Sequence, residues 1–452
     1  MSVRSEAHGD AASVGPSGFL DLRSTPGVGD ELYALAERLF PFCRSITGNG
    51  VRQTLNVVAE RIPLQVNEIP TGTAVFDWTV PKEWNIRDAY IKDAAGNRVV
   101  DFRSSNLHVV NYSAPVRCRM SMDELRPHLH SLPDRPDWIP YRTSYYKETW
   151  GFCLTHKQLE SMREAEYEVC IDSSLEPGAL TYAECVLPGE TAEEVLLSAH
   201  VCHPSLANDN LSGIVLLAWL GEQLQRMNHR YSYRLIFAPG TIGSIAWLAN
   251  NEDKLHRIRH GLVLACLGDD GGPTYKRSRR GDALVDRAVS HVLHHRFQNA
   301  SVREFSPYGY DERQYCSPGF NLPVGLLERS GYGEFPEYHT SGDNLSFIAP
   351  TALSESLDMV LTVLDVLERD RCYQNLKPKC EPQLGKRGLY DALGGENDRA
   401  SLQLAMLWVL NQCDGTHSLL DIAERSEMPF EKIAWCADLL AGSELLAGLP
   451  QQ

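Results

Sequence analysis

The period of apolar positions changes several times along the chain. ELYALAERLF, between Gly29 and Phe40, repeats apolar residues every three to four positions. VRQTLNVVAERI does so again after the turn CRSITGNG, and both spacings predict amphipathic helices. From 67 to 180 the period falls to two: TAVFDWTV, DAYIKD, RVVDF, LHVVNYSAPV, TWGFCLT and YEVCIDS alternate aromatic or β-branched residues with polar ones. This predicts a β-rich domain, inserted in or adjacent to its neighbour, with AAGN as one of its turns. From 181 onward apolar strands and helical patterns take turns. EEVLLSAH, YRLIFAP, HGLVLACLG and NLPVGLLE read as buried strands, with LSGIVLLAWLGEQLQRM, SIAWLANN, LVDRAVSHVLHHRF and TALSESLDMVLTVLDVLERD as the helices among them. Such alternation predicts an α/β domain on a largely parallel sheet, whose ligands bind at the carboxyl ends of the strands. Residues 374–388 are rich in Lys, Pro and Gly and read as a linker. Beyond it, ASLQLAMLWVLNQCDG, SLLDIAERSE and PFEKIAWCADLLAGSELL have the spacing of a helix-turn-helix or winged-helix domain. Residues 1–25 are small, polar and punctuated by Gly and Pro, the pattern of a disordered tail. The expected organisation is therefore a tail (1–25), an α/β domain (26–66 and 181–373), a β-rich insert (67–180) and a winged-helix-like domain (382–452).

Composition narrows the function classes. The 452 residues allow two or three domains with full hydrophobic cores. A net charge of −16 argues against phosphate-backbone binding, which needs a basic surface. The C-terminal helices are themselves acidic, so packing or homo-oligomerisation is the better expectation for them than nucleic-acid binding. The twelve cysteines include no CxxC pair, which counts against a zinc ribbon or a thioredoxin-type site. Cys185, Cys266 and Cys436 lie in apolar runs and read as buried free thiols in a reducing compartment. The first residues lack an apolar signal core, and no run of about 18 apolar residues occurs, so the expected location is cytoplasmic, without membrane contact.

The chemistry-bearing residues concentrate in loops of the α/β domain. His200 ends a predicted strand in SAHVCHP, with His203 three residues on, and Asp209 follows in NDNLSG before a helix; imidazole and carboxylate suit zinc. Asp311 and Glu312 lie in YGYDERQYCSPG. Glu337, Tyr338 and His339 lie in EFPEYHTSGDN, where Asp343 has the type of an N-cap for the next helix. Asp269 follows a strand and could reach a metal. Tyr275, Lys276, Arg277 and Arg279 form an aromatic and basic run in an acidic chain, readable as a substrate clamp or as solvated surface.

The order AH…NDNLSG, TIGS, DERQYCSPG and PEYHTSGDN resembles the co-catalytic zinc aminopeptidase family, whose fold the glutaminyl cyclases share. More closely it resembles a bacterial aminopeptidase-like subgroup with an N-terminal β insert and a C-terminal winged helix. FDWTVPKEWNIRDAYI, SNLHVVNYSAPV and YYKETWGFCL of the insert also match that subgroup, and the likeness runs from about residue 30 to the end. The resemblance implies a zinc aminopeptidase (phosphorylase/hydrolase-like) fold. It also implies that His200 (with His203 its rival), Asp209 and His339 bind zinc, and that Asp311 lines the substrate pocket. It further implies hydrolysis of an amide or peptide bond in a small-molecule or short peptide substrate.

One position departs from the family. Where its members carry a catalytic glutamate before Gly-Ser, this chain reads Pro239-Gly240-Thr241-Ile242-Gly243-Ser244, and glycine can neither bind metal nor take a proton. One zinc is therefore expected rather than two, with Asp311 first, then Glu312 and Glu337, as candidate general bases and Tyr275, Lys276, Arg277 and Tyr338 as candidate substrate contacts. Zinc-assisted acyl or amine transfer, deacylation of a specialised metabolite, and a catalytically inactive zinc-binding protein are the alternatives that Gly240 opens.

Overall fold

The computed structural model describes residues 18–163, 165–389 and 396–449. They form two compact units, one of residues 26–286 and 299–357, the other of residues 18–25, 287–298 and 358–449. The tail expected at 1–17 lies outside the described residues, whereas Gly18–Leu22 is helical.

The larger unit is organised on an eight-stranded sheet. Its order is Gln65–Pro70, Ala179–Leu187, Ser232–Ala238, Glu194–His200, Ile258–Leu264, Val324–Glu328, Thr274–Lys276, Ser301–Arg303. The four central strands run parallel, as their unbroken apolar sequences require of strands covered on both faces. Antiparallel pairings bring in both flanks. Thr274–Lys276 and Ser301–Arg303 were not foreseen, because strands of three residues carry no readable period. Helices Gly213–Leu224 and Ile242–Asn250 follow the strands ending at His200 and Ala238 and are buried along most of their length.

Strands Gln65–Pro70 and Ala179–Leu187 pair with each other and belong to this sheet, so the β-rich insert spans 71–178 and leaves and re-enters at adjacent strand ends. Its four-stranded sheet has the order Arg98–Asp101, Glu83–Lys92, Glu166–Glu176, Val116–Ser121. LHVVNYSAPV and TWGFCLT form no long strands. Phe152–Cys153 is a two-residue strand beside Leu129–His130, Val109 bridges Phe152, and the Val110 and Ala114 N–H groups donate to the carbonyls of Gly151 (3.0 Å) and Thr149 (2.9 Å), while Ser144 Oγ donates to the Tyr112 carbonyl (2.9 Å).

The smaller unit carries helices Glu396–Gln412, Leu419–Ser426 and Phe430–Gly442 and an antiparallel sheet in the order Asp414–Ser418, Cys372–Asn375, Leu446–Gly448. Leu419, Ile422, Phe430, Ile433 and Leu440 form its core. The segment read as a linker from 374 begins inside the Cys372–Asn375 strand. Ser418 and Asp421 form a reciprocal cap on the second helix. Cys185, Cys266 and Cys436 are buried and free. Among the described residues no helix is long and apolar enough to cross a membrane.

Candidate metal centre

Two parallel strands end side by side at His200 and Ala238, which are paired in register. The loop after His200 turns back under Leu206 and places Asp209 immediately before helix Gly213–Leu224, so His200, His203 and Asp209 share one corner at the carboxyl edge of the sheet. His200 Nε2 lies 2.8 Å from Asp209 Oδ1 and 3.1 Å from His203 Nδ1. His203 Nδ1 is 3.4 Å from the same oxygen. The other oxygen, Oδ2, is 3.1 Å from His339 Nε2. Candidate ligand atoms of His200, His203 and Asp209 all lie within 4.8 Å of one another. Asp209 and His200 are buried, whereas the His339 side chain is 34% exposed and stands at the open side.

Burial opposes the charge of Asp209, but attraction to His203 and the bonds from three imidazoles outweigh it and hold the carboxyl well below its usual range. Burial pushes His203 down to about 4, so this imidazole is neutral near pH 7, the form that can bind a metal. The buried carboxylate has no lysine or arginine partner among the described residues. A buried charge without a paired cation is costly unless it coordinates one. A nitrogen- and oxygen-donor set of this size fits zinc.

Neighbouring residues fix this corner. Asp343 accepts from the backbone N–H groups of Ala207 (3.0 Å), Asn208 (2.6 Å) and Asp209 (3.0 Å), and so anchors the ligand loop rather than merely capping a helix. Asp269 does not join the imidazoles. Its Oδ2 accepts from Asn208 Nδ2 (2.6 Å), while Oδ1 takes the Gly271 N–H and the Ser330 hydroxyl (2.7 Å each). Arg44, in the segment read only as a turn, is buried and donates to the His203 carbonyl (2.7 Å). Tyr141 of the insert meets His203 and His339 edge-on, and its N–H donates to the His339 carbonyl (2.8 Å). His339 has φ = 53°, a conformation that side chains rarely adopt, and is stacked on Tyr338 at 4.0 Å. Only the residue types at 44, 141 and 343 were visible beforehand; contacts across more than a hundred residues leave no local pattern.

The cavity over this corner measures about 310 Å3. Gly240 lies on its wall, and a Cβ there would stand 3.3 Å from His200 Cβ and 3.5 and 3.7 Å from the two oxygens of Asp311. Asp311 is buried beside the vacant position. Its Oδ1 is bonded to the Ser244 hydroxyl (2.8 Å), its buried Oδ2 has no hydrogen-bond partner, and burial raises its pKa. Trp78 and Tyr146 of the insert, Tyr338 and Arg313 also line the cavity.

The other expected site residues lie elsewhere. Glu312 is buried against Lys276 in an ion pair. Lys276 also donates to the Tyr308 carbonyl (2.7 Å), so neither is free to meet a substrate. Tyr275 packs on Gly325 and its hydroxyl donates to Asp286 (2.8 Å). Arg277 donates to the Gly281 carbonyl (2.7 Å) and is outside the cavity wall. Glu337 is half-buried and outside it as well; its carbonyl accepts from the Thr340 hydroxyl (2.8 Å). The run at 274–277 misled because Thr274–Lys276 is an interior strand whose side chains are all buried.

Comparison with known proteins sets this geometry in context. Residues 33–370 match a family model described as a domain of unknown function, DUF4910, and residues 371–448 match a winged helix-turn-helix model. A Clostridium acetobutylicum protein whose name gives it a polysaccharide biosynthesis role and an aminopeptidase-like domain is 52% identical, over 94% of this chain and 98% of its own length. A solved structure from C. acetobutylicum, named as that of a peptidase, superposes with a TM-score of 0.90 at 51% identity, covering 95% of this chain and 98% of the other. A zinc aminopeptidase from Bacillus subtilis shares the fold, with a TM-score of 0.55 at 12% identity, covering 75% and 94%.

Proposed function

Because the chain belongs to the DUF4910 family of aminopeptidase-like proteins, we propose that it is a metal-dependent hydrolase of an amide or peptide bond, holding one zinc ion between His200, His203, Asp209 and His339. The observation that carries this reading is the buried Asp209 carboxylate, shared by three imidazoles and, among the described residues, without a lysine or arginine partner. A second metal is disfavoured, since position 240 offers no ligand and Asp269 is committed to Asn208. Zinc, when bound in such a site, supplies Lewis acidity toward an amide carbonyl and acidifies water.

Asp311 is the proton carrier in this proposal. With no side chain at Gly240 its carboxyl group stands in the cavity wall, Ser244 bonds one oxygen, and burial raises its affinity for a proton. It takes a proton from the attacking water and returns it to the leaving nitrogen, with Tyr338 and Arg313 on the substrate side. Purified protein assayed for metal and for release of amines from aminoacyl amides tests this. Asp311→Ala should keep the zinc and lower turnover by ~10²–10⁴-fold, the usual scale of general acid–base catalysis. Retained turnover would remove Asp311 from its role.

A second reading is favoured by Trp78 and Tyr146, which are 46% and 51% exposed on the cavity wall and suit the flat face of a ring. Together with the relative's name, they support removal of an acyl group from a sugar amine in place of peptide cleavage. Release of acetate from N-acetylhexosamines, with no cleavage of aminoacyl amides, would select it. Zinc bound without either activity would mark a binding protein. For the acidic C-terminal unit, packing or homo-oligomerisation remains our proposal; salt-sensitive retention on DNA would contradict it.

A further inference from the structure

We propose, building on the amide-hydrolase reading, that Arg313 determines specificity by selecting a substrate that carries a carboxylate close to the scissile amide. Arg313 lies in the short helix Glu312–Tyr315 and lines the cavity with Asp311, Thr241 and Tyr338. Its Nε is buried without a hydrogen-bond partner, and its guanidinium forms no salt bridge among the described residues. The acids beside it in sequence are committed elsewhere, Asp311 to Ser244 and Glu312 to Lys276. Attraction to Arg313 does not offset burial at Asp311, whose pKa stays raised.

Arg44 at Nη2 and Arg277 at Nε also have a buried nitrogen without a partner, but both bond to carbonyls of the fold through their other nitrogens, as the fully paired Arg234 does to carboxylates. Arg234 is held by Glu194 and Glu184, and Arg44 by the carbonyls of Leu39 and His203. Desolvated donors that find no acceptor within a fold are completed by what binds there. A guanidinium presents a planar fork that matches a carboxylate with two parallel bonds. The net charge of −16 repels anions in general, so a cation inside the cavity is needed to hold one. The cavity, about 310 Å3, is at the small end of the ~300–1,000 Å3 range of ligand clefts, so the carboxylate and the amide must belong to one compact molecule.

Two probe pairs, each differing only in one charge, separate the sources of the carboxylate. Alanyl-alanine against alanyl-alaninamide tests a terminal carboxylate on the leaving side; glutamic acid α-anilide against glutamine α-anilide tests a side-chain carboxylate. Binding is measured by calorimetry on the full-length protein, zinc-loaded and metal-free. In the unaltered protein the acid member of one pair should bind about tenfold or more tighter than its amide. Arg313→Gln should bring that ratio close to one, and Arg313→Lys, which keeps the charge but loses the fork, should restore part of it. Zinc content and thermal unfolding equal to those of the unaltered protein establish that each variant is folded; should Arg313→Gln fail this, the ratio in Arg313→Lys decides. A ratio near one in both pairs, binding of no probe, or a ratio that survives loss of Arg313 overturns the proposal. Carboxylate discrimination without turnover would remove the hydrolase reading and leave the role of Arg313 standing.

Discussion

The strand Glu194–His200 carries a buried charged cluster at each end, and the two are built on opposite principles. At its start, Arg234 is gripped by both oxygens of Glu194 (2.6 and 2.9 Å) and by Glu184 (2.5 Å), with Trp247 Nε1 donating to Glu184 as well (3.0 Å). Permanent cation and anions meet there in fork geometry, and the cluster is complete without a ligand. At its end, Asp209 is as deeply buried but meets only imidazoles, one of them driven to its neutral form. Two clusters built on buried carboxylates thus differ in whether the protein supplies a permanent cation. The first contains its own cation; the second is the one that we propose a metal completes.

The largest effect should come from Asp209→Asn, which removes the charge that imidazoles alone cannot replace. Loss of metal affinity should exceed the ~10–100-fold typical of changes behind a ligand shell, and turnover should vanish with it. The metal-free variant should nevertheless unfold at about the temperature of the metal-free parent, since no permanent ion pair is broken. Metal analysis and calorimetry together check this; a collapse of the metal-free fold would place Asp209 in the structural class with Arg234.

Arg234→Met reverses the pattern. It strands Glu184 and Glu194 in the interior, and breaking a buried pair in this way costs about 3–5 kcal/mol. Denaturant unfolding should register that loss while the metal affinity of the folded fraction stays unchanged. Asp343→Asn comes next. An amide has one acceptor oxygen where Asp343 uses two, so at least one bond to the loop at 207–209 is lost; metal affinity should fall ~10–100-fold, with a loss of stability of about 1–3 kcal/mol. Titration with a competing chelator measures it; unchanged affinity would mean that the loop holds Asp209 without its clamp.

The same contrast shows what could be read beforehand. The strand–helix alternation, the long strands Glu83–Lys92 and Glu166–Glu176 and the three C-terminal helices follow from hydrophobic period, and each was visible because burial on one or both faces imposes that period. His200, Asp209 and His339 stood out because their types can bind a metal and because the carboxyl ends of parallel strands are where binding residues converge. Direction was not legible. Lys276 and Arg313 are both cations in loop-rich stretches, yet Lys276 points inward to Glu312 and Arg313 lines the cavity. Asp269 and Asp343 are both acids beside the site, yet each serves the backbone or side chain next to Asp209 rather than a metal. The assignments of the two acids depend on contacts between residues 61–136 positions apart, which composition and spacing do not encode.

Glu328 sits between the two principles and provides the smallest and most discriminating effect. It is buried at the end of the Val324–Glu328 strand, and its Oε2 has no hydrogen-bond partner. Of the two cations that attract it, Arg303 is paired with Glu334 and Lys276 with Glu312. Burial first, and then repulsion from Glu312, raise the carboxyl to about 8. An acid whose folded pKa exceeds its unfolded value of ~4.3 binds more protons folded than unfolded, so stability declines as pH rises from about 4.5 toward 8. Glu328→Gln removes that slope. The variant should match the parent near pH 4 and exceed it by on the order of 1–2 kcal/mol at pH 8, after allowance for the partial screening that Lys276 and Arg303 provide. Urea unfolding at the two pH values decides the matter. A variant less stable than the parent at pH 8 would show that Glu328 is closed by a cation, as Glu194 is, and would move this third cluster to the side of the self-neutralised one.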